Sequence, residues 1–159
     1  MSAHPSQPRI GAPVPTFKAA ALSGNPAFTF DTIAGRAVLI AFLGSAGAEP
    51  SRLALEELMR HRTLFDHVNA CFFGVTCDPA DEAQGRIAQS LPGIRHFLDY
   101  DRTVSQLFGV LAGETYQPQW LVLDRTLRML ARFPITETVR AIAALQQTIA
   151  SQNDHGWAP

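Results

Sequence analysis

No cysteine precedes Cys71 in this chain of 159 residues, and only one more, Cys77, follows it. So few thiols point to a reducing compartment, the cytoplasm, and not to a disulfide-stapled scaffold. The two do not suit a mutual bridge. If both lie on one strand, six residues separate their Cα atoms by roughly 20 Å, whereas a disulfide needs about 7 Å. An excess of one charge is also lacking: 13 basic residues face 14 acidic ones, and no basic run tracks a phosphate backbone, which excludes nucleic acid as a partner. Long apolar stretches are missing as well. Ala37–Leu43 and Trp120–Leu123 are too short to cross a bilayer, and Met1–Pro8 has no apolar signal core, so no membrane role is expected. There is no internal repeat and no low-complexity block. Five histidines occur (His4, His61, His67, His96 and His155), yet none has an aspartate two residues on. His96 and Asp99 have the wrong gap for a His-x-Asp metal pair and fall on opposite faces of an extended strand. Neither a metal nor another cofactor is expected.

What is present is a chain of ordinary globular composition, 47% hydrophobic and 17% charged. It reads as one domain over residues 10–150, with a loose tail at 1–9 and a tail or linker at 151–159. Phe28–Phe30 reads as a short edge strand. The continuous apolar run Ala37–Leu43 predicts a strand covered on both faces. Pro50 opens a long helix expected to reach Val68, with Leu55, Leu58 and Phe65 on one side. Ala70–Cys77 is a second buried strand, Asp81–Ser90 a polar helix, Ile94–Leu98 a third strand and Thr103–Phe108 a short helix. Leu111–Gln117 reads as a loop. Gln119–Asp124 and Leu127–Phe133 form a hairpin around Arg125-Thr126. A last amphipathic helix carries Val139, Ile142, Gln146 and Ile149 and is capped by Thr136. Alternating strands and helices predict an α/β fold with a central mixed sheet flanked by helices.

Several segments in this order resemble the alkyl hydroperoxide reductase/thiol-specific antioxidant family, the peroxiredoxins. They are Ile10-Gly-Ala-Pro-Val-Pro-Thr-Phe17, the stretch Phe30–Phe42, Val75-Thr-Cys-Asp78 and Trp120-Leu-Val-Leu-Asp124. The resemblance implies a thioredoxin-like fold with a peroxiredoxin-type N-terminal extension. It also implies antioxidant oxidoreductase chemistry, in which a cysteine in the first turn of the long helix, within P-x-x-x-T-x-x-C, attacks peroxide. Laid on this chain, that motif puts Gly44 at the proline, Ala48 at the threonine and Ser51 at the cysteine. The remote arginine before the Trp120 strand is replaced by Gln117-Pro118-Gln119. Pro118 stands where thioredoxins carry a cis-proline, and the resemblance leaves its bond open between cis and trans.

The chemistry requires sulfur. A thiolate attacks peroxide and passes through a sulfenic acid; a serine hydroxyl has no such intermediate. Ser51 could act as an acyl-transfer nucleophile only beside a base, and no Gly-x-Ser-x-Gly elbow surrounds it. It reads as a solvated first-turn serine. The small residues Gly44–Ala48 could hold an anion on free amides, although Glu49 would repel one. Two functions stay open. The first is a binding or assembly module without peroxidatic catalysis, able to form a homodimer and, by resemblance, to stand ahead of a fused or partner iron/2-oxoglutarate oxygenase domain. The second is an antioxidant oxidoreductase using a displaced thiol, Cys77 or Cys71, with Asp78 expected to raise the pKa of Cys77.

Overall fold

The computed structural model describes residues 9–21, 25–66, 68–87 and 93–154. Nine strands and four α-helices follow one another: β1 Lys18–Ala21, β2 Asn25–Thr29, β3 Ala37–Gly44, α1 Glu49–Arg60, β4 Ala70–Thr76, α2 Pro79–Ala83, β5 Ile94–Leu98, α3 Thr103–Leu107, β6 Leu111–Ala112, β7 Thr115–Tyr116, β8 Gln119–Leu123, β9 Met129–Pro134 and α4 Thr138–Asp154. Seven strands form one sheet in the order β2-β1-β5-β4-β3-β8-β9, while β6 and β7 pair separately. β3, β4 and β5 run parallel at the centre, and the pairs β1–β5, β3–β8 and β8–β9 are antiparallel. The mixed sheet expected from the sequence is therefore present.

The period of two along β3 divides the core into two layers. Val38, Ile40 and Phe42 face Phe30, Phe97, Phe108 and Val104 of α3 on one side. Leu39, Ala41 and Leu43 face Ala54 and Leu58 of α1 and Ala141, Ile142 and Leu145 of α4 on the other. Because both faces are covered, β3 is apolar throughout instead of alternating. Trp120 is fully buried in the α1/α4 layer, and its indole N–H donates to the Ile135 carbonyl at 3.1 Å.

Where the elements differ from the sequence reading, a local bond accounts for most of the change. α1 ends at Arg60, not Val68. A short 3-10 turn, Arg62–Leu64, follows, and the Asp66 carboxylate accepts the Val68 and Asn69 amides, turning the chain toward β4. Phe65 still reaches the core and packs on Phe72 with ring centroids 6.0 Å apart. The polar helix is α2, Pro79–Ala83, capped by the Asp78 side chain on the Ala80 amide. Residues 88–92 of the predicted Asp81–Ser90 helix and Leu91-Pro92-Gly93 break lie outside the described residues. Leu111–Gln117 is no plain loop but the two-residue ladder β6–β7. β9 starts at Met129, since Leu127 adopts the left-handed φ of 62° that ends the turn. α4 begins at Thr138 and not beside Thr136, and it continues to Asp154, into the segment expected to be a tail.

Candidate functional site

The carboxyl ends of β3, β4 and β5 meet at one edge of the sheet, where open α/β sheets place their ligand crevices. Two amide bonds lace them together: Cys77 N–H to the Gly44 carbonyl at 2.8 Å, and Asp99 N–H to the Thr76 carbonyl at 2.7 Å. Gly44, the residue at the motif's proline position, has φ of +67°, and a Cβ on it would lie 3.1 Å from the Tyr116 ring. Proline is locked near −65° and cannot adopt that conformation. The loop therefore leaves the strand in a direction the P-x-x-x-T-x-x-C pattern does not permit.

Two aspartates pin the loop. Asp81 is fully buried; its carboxylate accepts the Ala46 amide at 2.7 Å and the Thr76 hydroxyl, and it pairs with Arg86 at 3.1 Å. Asp78 accepts the Ser45 hydroxyl at 2.7 Å and the Ala80 amide at 2.9 Å. The Ser45 hydroxyl, backed by the Ala80 amide and the Arg86 guanidinium, holds the Asp78 carboxyl below its ordinary range. The Gly47 amide donates to Ser45 Oγ and the Ala48 amide to the Ser45 carbonyl. The anion-binding reading of this loop thus loses its donors, because the amides of Ala46, Gly47 and Ala48 are all taken.

Ser51 is not solvated, contrary to the sequence reading. It is fully buried in the first turn of α1, and its hydroxyl donates to the Leu43 carbonyl at 2.7 Å. Strand end and helix start lie so close that a first-turn side chain is enclosed between them. The Pro118 bond, left open by the sequence, is trans, as is every peptide bond among the described residues. Gln119 is buried, with its Nε2 donating to the Gln117 carbonyl and its Oε1 unpartnered.

Cys77 lies beside this edge and Cys71 does not. Cys71 is buried near the start of β4, and both cysteines are free. The Cys77 thiol lies 3.6 Å from the Ser105 hydroxyl, which in turn meets the Tyr116 hydroxyl at 2.9 Å and donates to Asp99 at 2.7 Å. Asp99 also accepts the Val104 and Ser105 amides, capping α3. Burial pushes the Cys77 thiol up, and the Asp99 charge adds to this against the hydrogen bond shared with Ser105. The direction matches the sequence reading; the neighbouring charge is Asp99, while Asp78 is turned to Ser45 and Arg86. Burial likewise raises Cys71.

The family model described as AhpC/TSA matches residues 10–130. The chain belongs to the AhpC/TSA family. Solved structures agree on the fold. A PrxQ mutant from Xylella fastidiosa is 17% identical, with a TM-score of 0.71, over 92% of this chain and 99% of that one. A thiol peroxidase from Chromobacterium violaceum is 21% identical, with a TM-score of 0.71, over 92% and 90%. AhpC from Mycobacterium bovis is 19% identical, with a TM-score of 0.68, over 89% and 99%. At such identities the likeness shows the thioredoxin-like fold of this redox family. No curated protein matches the chain by sequence. Among the described residues, no helix is long and apolar enough to cross a membrane.

Several residues of this AhpC/TSA edge escaped the sequence reading: Thr76, Asp81, Asp99, Ser105 and Tyr116. Asp99 and Asp81 look like surface residues of turns and short helices. Only the strands before them, β5 ending at Leu98 next to Asp99 and β4 ending at Thr76 five residues ahead of Asp81, hint that they sit where the sheet stops.

Proposed function

We propose that this AhpC/TSA-family chain is a binding or assembly module that has lost peroxidatic catalysis. The observation that carries the reading is Ser51. The sequence resemblance lays it on the motif's cysteine, and its hydroxyl is buried and bonded to the Leu43 carbonyl. The left-handed Gly44 and the occupied amides of Ala46, Gly47 and Ala48 support the same conclusion, since they leave neither a proline bend nor these three donors to receive a peroxide. The solved relatives carry names such as thiol peroxidase and peroxiredoxin, and their chemistry is what this chain is proposed to lack.

A second reading keeps an antioxidant role for a displaced thiol. It is favoured by the Cys77 amide bond to Gly44, which brings this thiol to the same sheet edge. Its raised pKa weighs against it, because the thiolate is the form that attacks peroxide. Peroxide challenge followed by dimedone trapping separates the two. The module reading expects no dimedone adduct on Cys77 in the folded protein; a rapid adduct there would establish the second. Assembly as a homodimer, or with a fused or partner iron/2-oxoglutarate oxygenase domain, belongs to the module proposal. Sedimentation of the chain tests the first form, and the reading frame beyond Pro159 tests the other.

A further inference from the structure

Four polar side chains from separate parts of the fold meet where β4 and β5 end. Cys77 follows β4, Asp99 follows β5, Ser105 lies midway along α3 and Tyr116 closes the β6–β7 ladder. Ser105 is the hub. It is fully buried, with its Oγ 3.6 Å from the Cys77 sulfur, 2.9 Å from the Tyr116 hydroxyl and 2.7 Å from Asp99 Oδ2. The Tyr116 ring is held over Gly44, where a Cβ would lie 3.1 Å from it.

Proton counting sets the direction of each bond in this cluster. A carboxylate only accepts, and Asp99 takes the Val104 amide at 2.9 Å, the Ser105 amide at 2.8 Å and the Ser105 hydroxyl. A serine has one hydroxyl proton, and Ser105 spends it on Asp99. Only lone pairs remain on Oγ, so the Cys77 S–H and the Tyr116 O–H both donate to it. A thiolate at residue 77 would lose that bond and face a lone pair instead. Beyond burial, Asp99 is the charge that opposes a thiolate there, and Arg102 the one that favours it. Burial, with Cys77 beside it, pushes the Tyr116 hydroxyl up, so the phenol keeps its proton as well.

We propose that Asp99 holds Cys77 in its thiol form through Ser105, by keeping the serine proton that would otherwise stabilise a thiolate. Asp99 and Ser105 are thus positioning residues for this sulfur. The bond shared with Ser105 would favour a thiolate only if the hydroxyl turned to sulfur, and Asp99 prevents that turn. The inference goes beyond both functional readings, since it states what sets the protonation of Cys77 whichever of them holds.

The pH profile of Cys77 alkylation by iodoacetamide tests it in the full chain, read by mass spectrometry of the peptide that carries the residue. Asp99→Asn removes the charge and frees the Ser105 proton for sulfur, so the midpoint is expected to fall by about one pH unit. Alkylation at pH 7 is expected to rise only about threefold, because a less basic thiolate is a weaker nucleophile. Ser105→Ala is expected to leave the midpoint level or lower it: the thiol loses its acceptor, and the Tyr116 hydroxyl is released toward sulfur. In Asp99→Asn/Ser105→Ala the fall caused by the asparagine is expected to shrink to about half or less. A midpoint not lowered by Asp99→Asn, a rise in Ser105→Ala, or an undiminished fall in the double variant would each overturn the inference. Urea unfolding checks that each variant is folded; should Asp99→Asn fail to fold, the sign of the Ser105→Ala shift decides alone. Dimedone trapping after peroxide reads oxidation and not this midpoint, so the module reading and the relay fail on separate results.

Discussion

At the scale of residues, the proposed loss of peroxidatic chemistry turns on a single oxygen atom. The Ser51 hydroxyl donates a hydrogen bond to the Leu43 carbonyl, which also accepts the Ser45 amide. Ser51→Ala removes one of the two bonds to that carbonyl and is expected to lower unfolding stability by about 1 kcal/mol, measured by urea titration. Ser51→Cys restores sulfur but not the motif's proline and threonine, laid on Gly44 and Ala48, nor the arginine that Gln117-Pro118-Gln119 replaces, so thiol-dependent peroxide turnover is expected to stay at the wild-type level. His96 makes a second residue-scale prediction. Burial lowers its pKa from 6.5 to about 4, so between these values the unfolded chain binds a proton that the folded chain refuses. The stabilisation is complete above pH 6.5 and falls as the pH drops toward about 4, by about 3 kcal/mol from a 2.5-unit difference. In His96→Gln that decline, followed by chemical denaturation across the window, is expected to disappear. None of this was legible in the sequence, where a histidine on a buried strand looks the same whether or not its ring is partnered.

At the scale of elements, the loop between β3 and α1 is held from outside. Asp81 of α2 ties Ala46, Thr76 and Arg86 together from a fully buried position. Asp81→Asn removes the charge opposite Arg86 and is expected to cost roughly 2–4 kcal/mol in thermal or urea unfolding. It should also speed hydrogen exchange at the Ala46 amide, which would lose its acceptor. A stability loss without faster exchange at Ala46 would mean the aspartate does not hold the loop. The buried strands were readable as elements because runs such as Ala37–Leu43 and Gln119–Leu123 carry their own signal. Boundaries set by single side chains were not. Asp66 stops the extension of α1 to Val68, and Leu127 in a left-handed conformation delays β9, and neither leaves a trace in hydrophobic periodicity. Ser51 reads from the sequence as a surface residue on similar grounds, since first-turn serines are usually solvated and the enclosure here comes from the packing of β3 against α1.

Across the whole molecule, the proposal is that the family fold is kept without the family reaction. A seven-stranded mixed sheet with helices on both faces matches the AhpC/TSA relatives over nearly the full chain, and the order of short motifs from Ile10 to Asp124 was enough to expect it. Sequence also revealed that no thiol precedes Cys71. The run Ala70–Cys77 already puts Cys77 at the end of its strand and Cys71 near the start; what the sequence does not carry is that this end lies level with Gly44. The most direct measurement is hydrogen peroxide consumption with dithiothreitol by the wild-type chain beside the Cys71→Ser/Cys77→Ser double variant. Equal, slow rates are expected for the two proteins. A wild-type rate that collapses on removal of Cys77 would contradict the account.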